Sequence, residues 1–216
     1  MPIVYDEKDK WRFLKILRYF NDEYSQENIF RTLDLLQKFG NINPFERPTS
    51  WPPRRPLVKI LSFHLAENHY HLLLKEIRPG GTTQFMKKLG DGFTGYINEK
   101  YHETGRIFQG SYKAKVVDSD LYLQYLDVYI QVFNPIESYL GGIKAALENF
   151  EDAFSFALNY EFCSLADSFR KRNLQIIDRD ILKEERFLNL KTYKEFARDA
   201  ILVRSIREFL GKLAME

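Results

Sequence analysis

The chain has 216 residues, 44% of them hydrophobic and 29% charged, with a formal net charge of +2. That length supports one sizeable domain with an appendage, and no run approaches the roughly 20 apolar residues of a membrane span. A balance so close to neutral neither requires nor excludes a nucleic-acid partner, which local basic clusters would have to hold. The opening "MPIVYDEKDKWRF" has no basic segment followed by an apolar stretch, so no secretory signal is read and a cytoplasmic location is expected. The single cysteine, Cys163, excludes an internal disulfide and a thiolate-cluster zinc site. Within "YEFCSLADSF" it reads as a small buried apolar residue.

In "DEKDKWRFLKILRYFNDEY" the apolar residues recur at three-to-four spacing, which predicts a helix. A second helix, "SQENIFRTLDLLQKFG", opens with Ser25 and Asn28 as candidate caps and stops at Gly40. "NINPFERPTSWPPRRP" holds five of the eight prolines and must be a loop; its Arg54-Arg55 pair reads as solvated charge or a phosphate contact. Residues 57–77 predict a β-hairpin, "PLVKILSFHL" and "HYHLLLKEI" about a turn at "AEN", ended by "RPGG". "TTQFMKKLGDGFTGYINEKYHE" reads as a helix with a break at Gly90-Asp91-Gly92, and "TGRIFQGSYKAKVVDS" as an extended pair bent at Gly105 and Gly110. "DSDLYLQYLDVYIQVFNP" begins with capping residues and runs as a helix to Asn134-Pro135. From Ile136 onward the chain reads as mostly helical and charged. Its stretch "FRKRNLQIIDRDILKEER" is an exposed helical face or a DNA-contacting arm.

Three of the four histidines fall in "FHLAENHYHLLL". On a strand, residues i and i+2 share a face, so His69 and His71 project together, about 6–7 Å apart, while Tyr70 points away. Such a pair can converge on one divalent ion, or can simply sit on an amphipathic strand, and two imidazoles need at least one more ligand to close a metal site. His64 lies before the turn with no obvious in-register partner and is the weaker candidate.

The segment "LAENHYHLLL" resembles the "MPNHxHLLL" stretch of the single-tyrosine HUH transposases, the insertion-sequence family that includes the REP-associated tyrosine transposases. Downstream, "FTGYINEKYHETGRIFQGSYKAKVVDSDLYLQYLDVYIQVFNP" resembles that family's ordered run of motifs, ending in a helix with Tyr-Ile and then Asn-Pro. "IVYDEKDKWRFLKILRYFN" is similar to its first-helix segment, so the resemblance covers residues 1–140 and leaves 141–216 as a helical C-terminal extension. It implies an α+β fold, a ferredoxin-like antiparallel sheet with helices on one face. It further implies that the histidine pair binds Mg²⁺ or Mn²⁺, and that a tyrosine cleaves and rejoins single-stranded or hairpin DNA through a 5′-phosphotyrosine link. A homodimer is expected from the same resemblance.

On this reading His69 and His71 are metal ligands and Tyr129 is the nucleophile, with Tyr125, one turn earlier, and Tyr122, two turns earlier, as substitutes. Arg106, Gln109, Tyr112, Lys113 and Lys115 are the expected DNA contacts, and Lys87 and Lys88 add charge nearby. The family usually has an Asn or Gln metal ligand four residues after the tyrosine. Here that position is Phe133, leaving Asn134 at five, or Gln131 at two, as the third ligand. Almost nothing precedes the "IVYDEKD" segment where members usually carry a strand, so the first strand of the sheet is expected to be missing or supplied otherwise. Glu67 stands where proline is usual and Ser111 where arginine is common. These departures keep open a catalytically impaired, domesticated hairpin-DNA-binding protein.

Overall fold

The protein is described by a computed structural model covering residues 2–24, 28–40, 43–179 and 189–213, the last nine by backbone alone. Helix α1, Glu7–Phe20, starts at a capping box in which Asp6 and Asp9 each accept the other's backbone N–H. It packs Phe13, Leu14, Ile16 and Leu17 into the core. Helix α2 spans Ile29–Phe39, with Asn28 in a left-handed conformation and no side-chain cap; Ser25 lies outside the described residues. Arg54 of the loop turns inward, its Nε donating to the Asn21 carbonyl, whereas Arg55 is exposed and pairs with Glu23 at the surface.

The expected hairpin forms as β1, Val58–Leu65, and β2, Tyr70–Glu76, paired antiparallel. A bulge interrupts the ladder between Ile60 and Ser62. Because side chains alternate strictly, one extra residue reverses the facing of everything beyond it. Val58 and Ile60 before the bulge, and Phe63 and Leu65 after it, therefore share the core with α1, while Leu61 joins Leu73 and Ile130 on the opposite face. His64 is thereby turned to that second face, and it is the cross-strand neighbour of His71. The sequence reading had given His64 no partner in register; the bulge supplies one.

Helix α3, Gly81–Tyr101, runs without the expected break. Gly92 serves packing instead, since a Cβ there would lie 2.1 Å from Cε2 of Phe20 on α1. Residues 104–119 pair with no strand, so the predicted extended pair does not form. Ile107 and Phe108 pack in the main core, Phe108 against Tyr70 and Phe93, and Val117 reaches Leu61, Leu73 and Ile130 on the second face. Among the described residues the sheet has two strands, with helices on both faces rather than one. The fold is α+β. At the outer edge of β1, Phe162 accepts the N–H of Leu65, Ser164 donates its N–H to Phe63, and Asp178 donates to Ile60. The N-terminal residues Ile3 and Val4 donate to the Glu67 carbonyl at the hairpin turn.

The second face carries a composite helix. Its first part is α4, Asp120–Val128, capped by Ser119; a π-helical turn, Tyr129–Phe133, follows, and α5, Asn134–Ile136, ends it. Its far side packs against α6, Gly142–Glu148, α7, Phe150–Asn159, α8, Leu165–Ser168, and α9, Leu190–Leu213. Val128, Val132, Phe133 and Ile136 there meet Phe154, Ala157, Tyr193, Ala197 and Ile201. Residues 169–179 form no helical arm: Leu174 and Ile176 enter the main core and Arg172 pairs with Asp167. Residues 180–186 of that predicted arm lie outside the described residues.

Candidate active site

The histidines and one tyrosine converge on the second face. The rings of His69 and His71 stand 5.1 Å apart edge to face, and the Tyr129 ring lies 5.4 Å from His71 in the same manner. The start of β2 and the residue just before it set the first pair, and the composite helix brings Tyr129 over it. Burial, reinforced by the charge of His69, pushes the His71 imidazole down to about 4, so at neutral pH it carries a lone pair. His69 Nδ1 is 2.7 Å from Asn68 Oδ1. A carbonyl oxygen only accepts, so the proton sits on Nδ1 and Nε2 is left as the electron-pair donor.

His64 sits beneath this pair. Its ring is 6.3 Å from that of His69 and stacks on Tyr160 at 5.5 Å, and its Nδ1 has no hydrogen-bond partner among the described residues. Burial, with the charges of His71, His69 and Lys10 adding, pushes it down to about 3, so it stays neutral.

The π-turn settles where Asn134 falls relative to Tyr129. At about 100° per residue an ordinary helix would turn a residue five places on well away from its predecessor, whereas a π-turn closes its hydrogen bond at i+5. Here the Asn134 backbone N–H and its Nδ2 both bond to the Tyr129 carbonyl, the second at 2.9 Å. Asn134 Oδ1 is buried with no hydrogen-bond partner among the described residues. A buried carbonyl oxygen in that state is an acceptor available to a donor or a cation. Gln131 points elsewhere: its Oε1 accepts from Ser164 and Ser168 at 2.8 Å each and its Nε2 donates to Tyr193.

Of the alternative tyrosines, Tyr125 packs its ring 5.3 Å from Phe196 of α9, away from the histidines. Tyr122 lines the groove above them, under the Lys115 ammonium at 4.8 Å. That open groove runs between β2, α3 and the 104–119 segment, and Gln109, Tyr112, Lys113 and Lys115 line it with His69, His71 and Tyr129. Arg106 is exposed but lies outside the groove lining. Lys87 lines the groove, whereas Lys88 is turned to the Asp22 carbonyl.

Residues 54–132 match the family model described as "Transposase IS200 like". Over these residues the chain is similar to the IS200-like transposases. Neither the curated proteins nor the solved structures provide a match to the chain. The IS200-like segment contains the hairpin, α3, the 104–119 segment and Tyr129, and it stops inside the π-turn. Asn134 and α9 lie beyond it.

Asn68 and Arg204 at this candidate site escaped the sequence reading, and His64 entered it only as the weaker candidate. His64 depends on a bulge that no local motif announces. Asn68 was visible as the residue before the histidine pair, though its role needs the 2.7 Å contact. Arg204, whose guanidinium carbon lies 4.7 Å from the Tyr129 ring centroid, is 75 residues further along the chain and reaches it only because α9 folds back. Among the described residues no helix is long and apolar enough to cross a membrane.

Proposed function

We propose that the chain is a metal-assisted endonuclease and strand transferase acting on single-stranded or hairpin DNA, with Tyr129 as the nucleophile. The observation that carries this is the Tyr129 ring against His71 in a groove lined by lysines and tyrosines. Lys113 and Lys115 neutralise backbone phosphates, while Tyr112 and Tyr122 offer faces on which bases stack. Tyr129 Oη bonds to the phosphorus and the P–O3′ bond breaks. The phenol proton passes to water, and the departing 3′-oxygen gains one to become a free hydroxyl. The phosphodiester linkage is conserved as phosphotyrosine, so a 3′-hydroxyl from another strand can reverse the step and join the ends. Two ends require two such sites, which a homodimer supplies.

Among the described residues no three His, Cys, Asp or Glu side chains are grouped to hold a metal. The donors that would hold one are the two imidazoles, His69 through Nε2 and neutral His71, with Asn134 Oδ1, which has no partner among the described residues, as the third. When bound, Mg²⁺ or Mn²⁺ would draw electron density from the non-bridging phosphate oxygens.

The test is incubation with Mn²⁺ and a labelled pool of single-stranded hairpin oligonucleotides, resolved on a denaturing protein gel. A labelled protein band is expected from the unmodified chain and from neither Tyr129→Phe nor His69→Ala. Retarded DNA with no covalent band would point to a binder that does not cut.

A further inference from the structure

We infer that Arg204 of α9 is a catalytic residue of this site, binding the scissile phosphate beside Tyr129; the inference rests on the nuclease reading above. The guanidinium carbon lies 4.7 Å from the Tyr129 ring centroid and 4.2 Å from that of Phe133, two rings that stack 5.5 Å apart. Among the described residues it is the one cation seated on the ring of the candidate nucleophile.

Its position in α9 sets it apart from a surface charge. Tyr193, Ala197, Ala200 and Ile201 form the buried seam of α9, and Tyr193 and Phe196 reach the composite helix at Asp127, Gln131 and Tyr125. Eleven residues advance a helix by about 1,100°, so residue 204 returns to within about 20° of residue 193. The seam therefore continues into Arg204, which lands on the π-turn at the residue proposed to attack DNA. It is itself exposed, at the border between the seam and solvent.

The chemistry suits an anion. A guanidinium stacked on rings uses its face for that contact, while its N–H donors lie in its own plane and match phosphate oxygens in pairs. The attacked phosphate must lie against Tyr129 Oη, and negative charge builds on its oxygens as the fifth bond forms. A fixed cation there stabilises the transition state more than the ground state. The groove lysines track the strand on either side, Lys115 over Tyr122 two turns earlier in the helix. Arg204 supplies charge at the reacting group itself.

The experiment uses the full chain, the Mn²⁺-loaded hairpin pool, and Arg204→Ala, Arg204→Gln and Arg204→Lys variants. The expected result is a fall in the rate of covalent adduct formation of about 10²-fold for the Ala and Gln variants, with pool binding changed by no more than about 3-fold. Millimolar guanidinium added to Arg204→Ala should restore part of the rate, because it supplies the missing group, and Arg204→Lys should remain impaired for want of the planar fork. An adduct rate within about 3-fold of the unmodified protein, or a loss that guanidinium leaves unchanged in both the Ala and Gln variants, overturns the assignment and makes Arg204 a packing residue. No adduct from the unmodified chain overturns the nuclease reading and this inference together.

Discussion

The Tyr129 carbonyl accepts two hydrogen bonds from Asn134, five residues on, one from its backbone N–H and one from Nδ2 at 2.9 Å. This double contact holds the side chain at the Tyr129 carbonyl and leaves Oδ1 buried, with no partner among the described residues. If Oδ1 is a metal donor, Mn²⁺ should raise the melting temperature, and Asn134→Ala should remove most of the rise. A ligand at 100 times its Kd stabilises by about 2.7 kcal/mol, and a 100-fold weaker affinity leaves about 0.4 kcal/mol. Asn134→Asp should keep the response, and so should Gln131→Leu, whose amide faces Ser164 and Ser168. Equal Mn²⁺ shifts in the unmodified protein and Asn134→Ala would remove residue 134 from the ligand set.

The buried histidines make stability depend on pH in a definite direction. In the unfolded chain an imidazole titrates near 6.5, whereas His71 is held down to about 4 and His64 to about 3. The unfolded state therefore binds more protons between these values, and stability falls as the pH drops. The contribution is whole above about pH 6.5 and declines below it at up to about 1.4 kcal/mol per pH unit for each histidine. It is exhausted near pH 4 for His71 and near pH 3 for His64. Urea melts of the metal-free protein at pH 7.5, 6 and 5 should show this slope, and His64→Leu should reduce it by about half in that range. An unchanged slope in His64→Leu would show that the residue does not titrate as described.

How much of this was legible in the sequence differs from element to element. The hairpin, α1 and the capped start of α4 were readable because their signals are local: alternation, three-to-four spacing, a Ser before a helix. His69 and His71 were placed together by strand parity alone. The bulge at Leu61 was not, since an extra residue is defined by the partner strand and not by its own neighbours. The five-residue spacing from Tyr129 to Asn134 read as a mismatch, because helical periodicity assumes about 3.6 residues per turn; the π-turn absorbs the extra residue. The helical reading of "FRKRNLQIIDRDILKEER" failed over 169–179 because Leu174 and Ile176 are drawn into a core built mainly by the first half of the chain. Charge composition does not report such a long-range contact.

Ser164 ties the helix that carries Tyr129 to the strand that carries His64. Its Oγ accepts the N–H of Phe63 at 2.9 Å and lies 2.8 Å from Gln131 Oε1, all within a fully buried site. Ser164→Ala would leave the Phe63 amide without a partner, at a cost of about 1–3 kcal/mol. Chemical denaturation should report that loss. Ser164→Cys, which keeps a weak acceptor, should lose less. A Ser164→Ala protein as stable as the unmodified one would mean that the strand amide finds another acceptor.

Two glycines of α3 should respond in opposite directions to the same substitution. Ala is favoured over Gly within a helix by about 0.5–1 kcal/mol, and at Gly95, which is exposed with nothing within 4 Å of a Cβ, that gain should appear undiminished. At Gly92 the new methyl would lie 2.1 Å from Phe20 Cε2 and 2.8 Å from Cδ2. The ring cannot simply swing clear, because it also packs against Phe30 at 5.7 Å. Overpacking of this type costs about 1–3 kcal/mol, which exceeds the helical gain, so Gly92→Ala should be destabilising overall. Thermal melts of the two single variants decide the matter. If both are stabilised, the contact between α1 and α3 is looser than described, and Gly92 is no more than the helix break its sequence suggests.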